Sequence, residues 1–344
     1  MRPQRHKIST RKKMSDRGGE EEVTSSFNWS SVTNQNKANG STNCVWNDTS
    51  AHPFFLVVYS LVFLVGLLLN GFMMFYFCRA QQKPSSSMMI YLRNLVAADF
   101  LLCLSLPIRI TNYATSSATI HQVNCNFGAS VLFLNMYASI MFMGYIAANR
   151  YLKVVQPLGT HILQSVRVTY IISTVTWVFL LAVTCSYVIL SFHTQEPFTS
   201  VPVSCQGFHS GQHTLLFRII HVSSTVMFLC VLVSLVFFYY STSRRVLLAQ
   251  QRQPASSNSM KLARSRRNML VLVSVFCFCF SPYHLIRLPK AFLWMHCSWS
   301  KVFYYGMELT VVMSVLNVCL DPVIYFILCK GFRNQLRLGV VRGN

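Results

Sequence analysis

The chain has 344 residues, of which 53% are hydrophobic and only 11% are charged. Soluble domains carry about 25% charged residues, so this composition excludes an ordinary soluble domain and indicates a membrane protein with several spans. A net charge of +21 would alone fit a nucleic-acid partner, but the basic residues lie in short segments between apolar stretches. Membrane topology explains that pattern better, and we expect no nucleic-acid partner.

Seven stretches reach the length of about 20 residues that a membrane-spanning helix needs. In chain order they are residues 53–78, 88–113, 126–153, 167–191, 214–241, 266–294 and 302–328. Between them, residues 193–213 contain no Lys or Arg, whereas residues 244–267 contain seven. Because Lys and Arg concentrate on the cytoplasmic side, we expect an extracellular N-terminus and a cytosolic C-terminus.

The predicted architecture is an all-α membrane protein with three parts. A tail over residues 1–52 precedes a seven-transmembrane helix bundle over residues 53–328, and a short amphipathic helix eight with a short cytoplasmic tail occupies residues 329–344. Glycosylation acceptor triplets begin at Asn28, Asn39 and Asn47, which fits an extracellular tail. Residues 1–50 lack the apolar region of a cleavable signal peptide, so we expect the first span to direct insertion. The basic run over residues 2–13 is unusual for an exported tail and leaves Met14 as an alternative start to Met1.

Four of the 12 cysteines fall on the predicted outer side, namely Cys44, Cys125, Cys205 and Cys297. An even number in an oxidising compartment predicts two disulfides. We expect Cys125–Cys205 and Cys44–Cys297, although the sequence permits other pairings. The other cysteines lie mostly within spans and are typical of small buried apolar residues. Cys329 is a lone juxtamembrane cysteine, which is a weak signal for lipidation.

Five polar residues lie at middle to inner depth in the predicted spans: Asn70, Asp99, Ser139, Asn317 and Asp321. A buried carboxylate costs about 2.5–3.5 kcal/mol on insertion scales, so Asp99 should have a partner. Two carboxylates with Ser and Asn oxygens suit a small hard cation such as Na⁺. The alternative is a hydrogen-bonded network with water and one protonated Asp. Beyond this candidate sodium site, we expect neither a metal nor another cofactor.

The inner ends of spans three and seven carry Asn149-Arg150-Tyr151 and Asp321-Pro322-Val323-Ile324-Tyr325. Charge and a proline-broken helix are both costly at membrane depth, so their presence at one face predicts a conformational switch. Asn149 stands where an acid would pair locally with Arg150. We therefore expect Arg150 to reach other partners such as Tyr240 or Tyr325. The alternative is an arginine that extends towards lipid headgroups.

Span six carries Phe276, Phe280 and Pro282 at helical spacing. A proline inside a helix removes one backbone hydrogen bond and kinks the chain, which predicts a hinge at Pro282. The two phenylalanines would then pack on the bundle side and join the switch. Plain core packing is the alternative for both.

The outer halves of the spans combine basic and aromatic side chains, opposed by the single acid Glu308. The set comprises Arg109, Tyr113, Tyr137, Arg218, His221, Tyr283, His284, Arg287, Lys290 and Lys301. His284 and Arg287 are three residues apart and share a helix face. Arg beside His suits a phosphate or carboxylate ligand. For His221, a ligand role and a purely structural role remain equal alternatives.

Across residues 53 to 338 the chain resembles rhodopsin-like G-protein-coupled receptors. The motifs that carry the resemblance, in order, are Asn70, Leu95-Val96-Ala97-Ala98-Asp99, Cys125, Asn149-Arg150-Tyr151, Trp177, Phe280-Ser281-Pro282 and residues 321–325. Each motif is weak alone, but their order and spacing together are specific. The resemblance implies a non-enzymatic receptor that binds an extracellular small molecule and activates a heterotrimeric G protein of the Gi or Gq type.

Within that class the chain is similar to the branch that holds the platelet-activating-factor receptor and the purinergic receptors for ADP and UDP-sugars. The motifs shared with the former include Asn149-Arg150, Ile219-Ile220-His221 and Pro282-Tyr283-His284. Those shared with the latter include His284-x-x-Arg287, but the purinergic Lys-Glu pair in span seven is Met307-Glu308 here. The resemblance implies a lipid mediator such as platelet-activating factor or a related phospholipid. The matched positions place His221, His284 and Arg287 around the lipid headgroup. Together with the outer-half residues Arg109, Tyr137, Tyr283 and Glu308 they form the predicted ligand set, and a nucleotide or an orphan receptor is the alternative.

Two other classes of membrane protein are less well supported. A transporter or channel would show inverted repeats, paired broken helices or rings of charge, and the hydropathy pattern shows none of these. An intramembrane enzyme would need a metal motif or a nucleophile elbow. The acids Asp99 and Asp321 lie too deep in the predicted spans to act on an outer substrate.

Overall fold

The computed structural model describes residues 51–79, 86–115, 117–156, 162–193, 211–252, 257–292 and 297–328. Within these ranges the chain is helical. The α-helices are α1 His52–Arg79, α2 Ser87–Ala114, α3 Ala118–Val123, α4 Ala129–Val155, α5 Val166–His193, α6 Gly211–Arg252, α7 Ser257–Phe292, α8 Cys297–Val315 and α9 Asn317–Leu328. A π-helical turn, Asn124–Gly128, joins α3 to α4, and a 3₁₀ turn, Ile162–Gln164, precedes α5.

Seven of these helical segments are long and apolar enough to cross a membrane. Span three consists of α3, the π-turn and α4 (Ala118–Val155), and span seven is Val302–Leu328, in α8 and α9. Spans one, two, four, five and six lie in α1, α2, α5, α6 and α7. Helices satisfy their own backbone hydrogen bonds, which is why an apolar chain of this kind can cross lipid. The seven-transmembrane bundle predicted from the sequence is confirmed.

Span three is the centre of the bundle and spans four and five are at its edge. In the apolar stretch of span three 67% of the residues are buried, against 22% in span four and 17% in span five. Helix α4 packs against α2, α5, α6 and α7. The exposed aliphatic side chains of α5 and α6 therefore face lipid, where apolar exposure carries no penalty.

Helices α6 and α7 continue well beyond the predicted spans at their inner ends. Span five was expected to end near residue 241 and span six to begin near 266, but α6 runs to Arg252 and α7 begins at Ser257. Hydropathy detects only the part of a helix that lies in lipid. The extensions are rich in Leu, Ala, Gln and Arg, which favour helix in water.

Span seven is interrupted where α8 ends at Val315 and α9 begins at Asn317. Pro322 lies inside α9 and has no N–H to donate to the carbonyl of Val318, four residues earlier. The Nδ2 atom of Asn70 in span one donates to that carbonyl instead, at 2.8 Å. It also donates to the Gly66 carbonyl at 3.1 Å. Asn70 thus replaces the helix bond that the proline removes.

Several predictions concern parts of the chain outside the described residues. These are the glycosylation sites Asn28, Asn39 and Asn47, the cysteines Cys44, Cys205 and Cys329, and helix eight. Cys125 is disulfide-bonded. Its pairing with Cys205, and that of Cys44 with Cys297, stay predictions.

Candidate ligand site and activation network

The outer ends of spans five and six meet through His221 of α6 and Arg287 of α7. The Nε atom of Arg287 donates to Nε2 of His221 at 2.9 Å, and its Nη2 atom contacts the same nitrogen. His221 is buried and Arg287 is half-buried. Because Nε2 accepts these hydrogen bonds, the imidazole is neutral in this arrangement. A guanidinium held in this way offers planar, charged donors to an anion.

Two aromatic rings flank the guanidinium of Arg287. Its Cζ atom lies 5.8 Å from the ring centre of Phe133 and 6.0 Å from that of Tyr283. Phe133 also stacks on His221, with the ring centres 5.8 Å apart. Cation–π contacts of this length fix the orientation of the charge without neutralising it. Spans three, five and six together therefore position Arg287.

His284 links this outer site to the interior. Its Nδ1 atom donates to the Phe280 carbonyl at 2.8 Å, which leaves Nε2 as an acceptor for the Tyr137 hydroxyl at 3.5 Å. Both side chains are buried. The sequence predicted Tyr137, His221, Tyr283, His284 and Arg287 as one group, and the structure brings these five together.

A stack of rings continues from His284 towards the middle of the bundle. His284 lies on Phe228 with ring centres 4.0 Å apart, and Phe228 lies parallel to Phe276 at 5.5 Å. Phe276 then contacts Phe280 edge to face at 5.5 Å. Pro282, the predicted hinge, follows Phe280 by two residues in α7. The rings thus connect the outer site to the segment of span six that is expected to bend.

Arg109 and Glu308, also predicted as ligand residues, form a separate ion pair. The Arg109 Nη2 atom lies 3.2 Å from Oε2 of Glu308, and the Tyr113 hydroxyl donates to the same oxygen at 2.6 Å. The Arg109 guanidinium also lies 5.0 Å from the ring centre of Tyr59. This cluster ties spans one, two and seven together and balances its own charge. The side chains of Arg218, Lys290 and Lys301 lie outside the described residues.

The polar residues of the middle bundle form one network around Asp99. Asn135 donates to its Oδ1 at 3.1 Å and the Tyr325 hydroxyl to its Oδ2 at 2.9 Å. Asn317 donates to Ser139 Oγ at 3.1 Å and reaches Asn135 Oδ1 at 3.5 Å. All of these side chains are buried. The network joins spans two, three and seven.

Asp321 lies beside Asp99 with both carboxylate oxygens buried. Apart from the Asp99 carboxyl group, no group within the described residues hydrogen-bonds either oxygen. A buried carboxylate left in this way needs a proton, water or a cation. Carboxylate and hydroxyl oxygens are ligands suited to a hard cation, so the residues present fit the sodium site expected from the sequence.

At the inner ends of spans three, five and seven, some of the observed contacts differ from those that the sequence predicted. The Nη2 atom of Arg150 donates to the Leu328 carbonyl at 3.3 Å. Tyr325 is buried, and its hydroxyl bonds Asp99 because that carboxylate supplies the acceptor it needs. Tyr240 is 63% exposed. In this conformation the Tyr325 hydroxyl therefore belongs to the Asp99 network.

The other two residues of the inner motif also have defined surroundings. Tyr151 stacks on Phe238 of α6, with ring centres 4.9 Å apart. The Asn149 side chain is buried, and neither its Oδ1 nor its Nδ2 makes a hydrogen bond within the described residues. An unsatisfied buried amide is costly, so this position is not optimised for stability in the conformation described.

A cavity of about 50 Å³ lies between α4, α5 and α6, next to His221. Besides His221, it is lined by Ser130, Phe133, Leu134, Tyr137, Leu180, Val183, Thr184, Tyr187, Ile220 and Ser224. Its surface is almost wholly apolar. One side of the site around Arg287 is therefore cationic and another is hydrocarbon-like.

Sequence reasoning missed four residues that complete these clusters: Tyr59, Phe133, Asn135 and Phe228. Asn135 had a usable signal, since it lies four residues before Ser139 on the same helix face. The three aromatic residues had none, because one aromatic side chain in an apolar span looks like any other. Only the packing of the spans identifies their partners.

Comparison with known proteins agrees with this geometry. Residues 69–325 match the model of the 7 transmembrane receptor (rhodopsin family). The chain is 33% identical to G-protein coupled receptor 87 of Mus musculus over 81% of this chain and 78% of that protein. It is 31% identical to purinoceptor 14 of Bos taurus, with 81% and 83% covered. Identity to probable G-protein coupled receptor 34 of Mus musculus is 26%, with 85% and 78% covered.

Membership of this family defines the general function of the chain. Receptors of this family bind a small molecule, are embedded in the plasma membrane by several spans, and activate heterotrimeric G proteins. They are signalling receptors and not enzymes. The ordered motifs, the seven helices and the family match agree, and the chain belongs to the rhodopsin family of seven-transmembrane G-protein-coupled receptors, in its purinergic-like branch.

Proposed function

We propose that this receptor responds to an extracellular lipid mediator that carries a phosphate, such as platelet-activating factor or a related phospholipid. The observation that carries the proposal is the contact between Arg287 and His221, which lies beside an apolar cavity. Arg287 binds the phosphate, while His221, His284, Tyr283 and Tyr137 surround the headgroup. Arg109 and Glu308 are already paired with each other and support the site from the side of spans two and seven.

Activation follows from the position of Arg287 between spans five and six. A phosphate that bonds Arg287 competes with His221 for the same donors and changes how the two spans approach each other. The ring stack from His284 through Phe228 to Phe276 carries that change past Pro282 into the inner half of span six. The inner half of span six then swings, and Arg150 lines a cleft for the Gα subunit, of the Gi or Gq type. The ligand shifts this equilibrium only by its differential affinity for the two states.

A sodium ion at Asp99 is the second part of the proposal. Asp99, Ser139, Asn317 and Asp321 would hold it, and Asn70 stabilises the adjacent break in span seven. When bound, the ion supplies positive charge to two buried carboxylates. Protonation of one carboxylate is the competing way to satisfy the same site.

We also infer the orientation of the chain, with its N-terminus outside the cell. The asymmetry of Lys and Arg between the joining segments supports this orientation, as do the three glycosylation triplets. The test uses one epitope tag at each terminus of the full chain in intact cells. Only the N-terminal tag should be accessible to antibody, and access to both tags from one side would overturn the topology.

A nucleotide ligand is the second candidate. The similarity to purinoceptor 14 of Bos taurus favours it, because that protein is named as a purinoceptor. Met307 replaces the lysine that the purinergic pair would supply, which favours the lipid. Receptors of this branch that have no known agonist are the remaining alternative.

The deciding experiment measures agonist-stimulated nucleotide exchange on a co-expressed G protein. The panel contains lysophospholipids, ether phospholipids, nucleotides and nucleotide sugars. We expect a phosphate-bearing lipid to activate the wild type. Activation by nucleotides alone would replace the lipid proposal with the purinergic one.

The Arg287→Ala variant tests the site itself. We expect agonist potency to fall about tenfold to a hundredfold at unchanged surface expression, since hydrogen bonds to a charged group contribute about 1.5–3 kcal/mol. Arg287→Lys should give an intermediate loss, because lysine keeps the charge but loses the planar fork. Arg79→Ala, at the exposed inner end of α1, is the matched control. Unchanged potency in Arg287→Ala would remove this residue from the site.

A further inference from the structure

The segments of the chain on the predicted inner side carry many cations and no acid. Of the nine acids in the chain, five precede residue 49 and the other four are Asp99, Glu196, Glu308 and Asp321. Asp99 and Asp321 are buried in the middle of the bundle, and Glu308 pairs with Arg109 near its outer end. Residues 244–267, by contrast, contain seven Lys or Arg and no Asp or Glu. The charge of this segment is therefore wholly positive.

Arg245 and Arg264 lie at the same height on the inner extensions of α6 and α7. Residues 253–256 join the two helices, which therefore run antiparallel. Arg245 is seven residues before the end of α6 at Arg252, and Arg264 is seven residues after the start of α7 at Ser257. Packed helices lie about 8–10 Å apart, which is close to the Debye length of about 8 Å in the cytosol. The two charges therefore repel each other in spite of physiological salt.

Four more exposed cations add to this repulsion. They are Arg244 on α6, Lys261 and Arg267 on α7, and Lys153 at the inner end of α4. Helix α4 packs against both α6 and α7, so Lys153 brings further positive charge to the same end of the bundle. The six exposed residues are called the inner cations here: Lys153, Arg244, Arg245, Lys261, Arg264 and Arg267.

Little apolar packing holds the two inner extensions in place. Val246 and Met269 are buried there, but neither belongs to the main hydrophobic core of the bundle. The other buried residues of the extensions and of the adjoining turn are polar, namely Thr242, Ser259 and Asn268. The Thr242 hydroxyl makes no hydrogen bond within the described residues. The apolar burial that opposes the repulsion is therefore small in this part of the molecule.

We propose that mutual repulsion among the inner cations favours the open inner cleft before any ligand binds. The repulsion pushes the inner half of span six away from spans three and five, and it falls when that half moves outwards. A rise in ionic strength screens the charges and shifts the receptor towards the closed bundle. This inference rests on the proposed function, because that function supplies the hinge at Pro282 and the cleft that opens.

The test measures the inner opening directly, in the full-length receptor without ligand or G protein. The receptor is placed in phosphatidylcholine nanodiscs in choline chloride, which keeps sodium out of the measurement. Spin labels on genetically encoded amino acids replace Tyr170 of span four and Met260 of span six, which are 46% and 64% exposed. Double electron–electron resonance then gives the populations of the short and long distances. We expect the long-distance population of the wild type to fall as choline chloride rises from about 50 mM to about 500 mM.

Arg264→Glu replaces repulsion with attraction at the centre of the inner cations. We expect the ratio of open to closed bundle to fall about threefold at low salt. Arg79→Glu is the matched control, because it makes the same charge change at an exposed inner end, that of α1, which packs against α2, α8 and α9. Its populations should equal those of the wild type. Equal effects of Arg264→Glu and Arg79→Glu would overturn the proposal.

The sign of the salt effect gives a second, independent criterion. In the triple variant Lys261→Glu, Arg264→Glu and Arg267→Glu, the inner end of span six is attracted to its neighbours, so added salt should open the bundle. If that variant does not fold, the triple change to Gln replaces it and should remove most of the salt effect. A salt effect of wild-type sign and size in either triple variant would overturn the proposal.

Failure of this inference is distinguishable from failure of the proposed function. Distances that ignore salt and charge, in a receptor that a phosphate-bearing lipid still opens, reject the repulsion and leave the function intact. The expected responses to salt and charge, in a receptor that no such lipid activates, support the repulsion and reject the lipid-receptor function.

Discussion

At the residue scale, Asn149 sets the charge state of the inner motif. It is a neutral, buried amide directly before Arg150, and its polar atoms make no hydrogen bond within the described residues. In the proposed activation mechanism, an acid at this position would pair locally with the arginine and hold it in the inactive arrangement. The neutral residue leaves Arg150 to bond the Leu328 carbonyl at the end of span seven.

We therefore expect Asn149→Asp to lower agonist-independent activity. An ion pair worth about 1 kcal/mol would shift the equilibrium about fivefold towards the inactive state. The measurement is nucleotide exchange on the G protein without agonist, at matched surface expression. Asn149→Ala is the control that removes the amide without adding charge. Equal or higher basal exchange in the Asp variant would contradict this role.

The second residue-scale prediction concerns Glu308. Its side chain is 19% exposed and that of its partner Arg109 is 11% exposed, so the pair is largely removed from water. Glu308→Gln leaves the arginine charge uncompensated and should destabilise the receptor by about 1–3 kcal/mol, less than for a fully buried pair. Thermal unfolding of the detergent-solubilised receptor measures this loss.

The control for Glu308 is the double variant Arg109→Gln with Glu308→Gln. Removing both charges should destabilise less than Glu308→Gln alone, because no isolated charge remains buried. Arg109→Gln alone completes the set of variants. If the loss of stability in the double variant equals the sum of the losses in the two single variants, the residues do not interact.

At the scale of elements, span seven depends on a side chain from span one. Pro322 cannot donate to the Val318 carbonyl, and Asn70 does so at 2.8 Å. A proline break at membrane depth is tolerated only when a neighbour satisfies the freed backbone group. Asn70 and Pro322 are therefore one structural unit, although 252 positions separate them along the chain.

The expected result for Asn70→Ala is a loss of about 1–3 kcal/mol, since it leaves a buried carbonyl unsatisfied. The same change should cost less in a Pro322→Ala background, where the new backbone N–H can donate to Val318. Thermal unfolding of the four variants gives the coupling directly. A cost that is the same in both backgrounds would refute the replacement of the helix bond by Asn70.

The long inner extensions of α6 and α7 show how different forces define one helix. High hydropathy is confined to the part of each helix that lies in lipid. The i to i−4 hydrogen bonds continue beyond it wherever the residues favour helix. Residues 242–252 and 257–265 therefore extend the helices past the predicted spans. These extensions lie at the inner ends of spans five and six, next to the proposed G-protein cleft.

At the scale of the whole molecule, the Asp99 network joins spans two, three and seven through buried hydrogen bonds. If sodium binds there and favours the inactive bundle, agonist affinity should fall severalfold when NaCl replaces choline chloride at constant ionic strength. Asp99→Asn should abolish the difference while keeping surface expression. Radioligand or fluorescent-agonist competition in membranes measures it. A salt effect that is equal for sodium and choline, or that survives in Asp99→Asn, would reject the sodium site.

Much of the molecule could be predicted because insertion into a membrane depends on each local stretch of sequence. A run of about 20 apolar residues crosses lipid wherever it lies, and the Lys and Arg between such runs bias the orientation. Asp99, Asp321 and Arg287 were identifiable because charge inside a span is costly and therefore rare. Helical spacing alone places His284 and Arg287 on one face of span six.

The sequence by itself determined the seven spans, the family and the set of polar residues inside the bundle. The tertiary structure alone decided which of those residues meet: Arg109 with Glu308, Arg287 with His221, and Tyr325 with Asp99. It also showed the apolar cavity beside His221, which no motif marks. The physical reason is that insertion depends on each span separately, whereas a site depends on the rotation and packing of several spans, which are set by contacts between residues far apart in the chain.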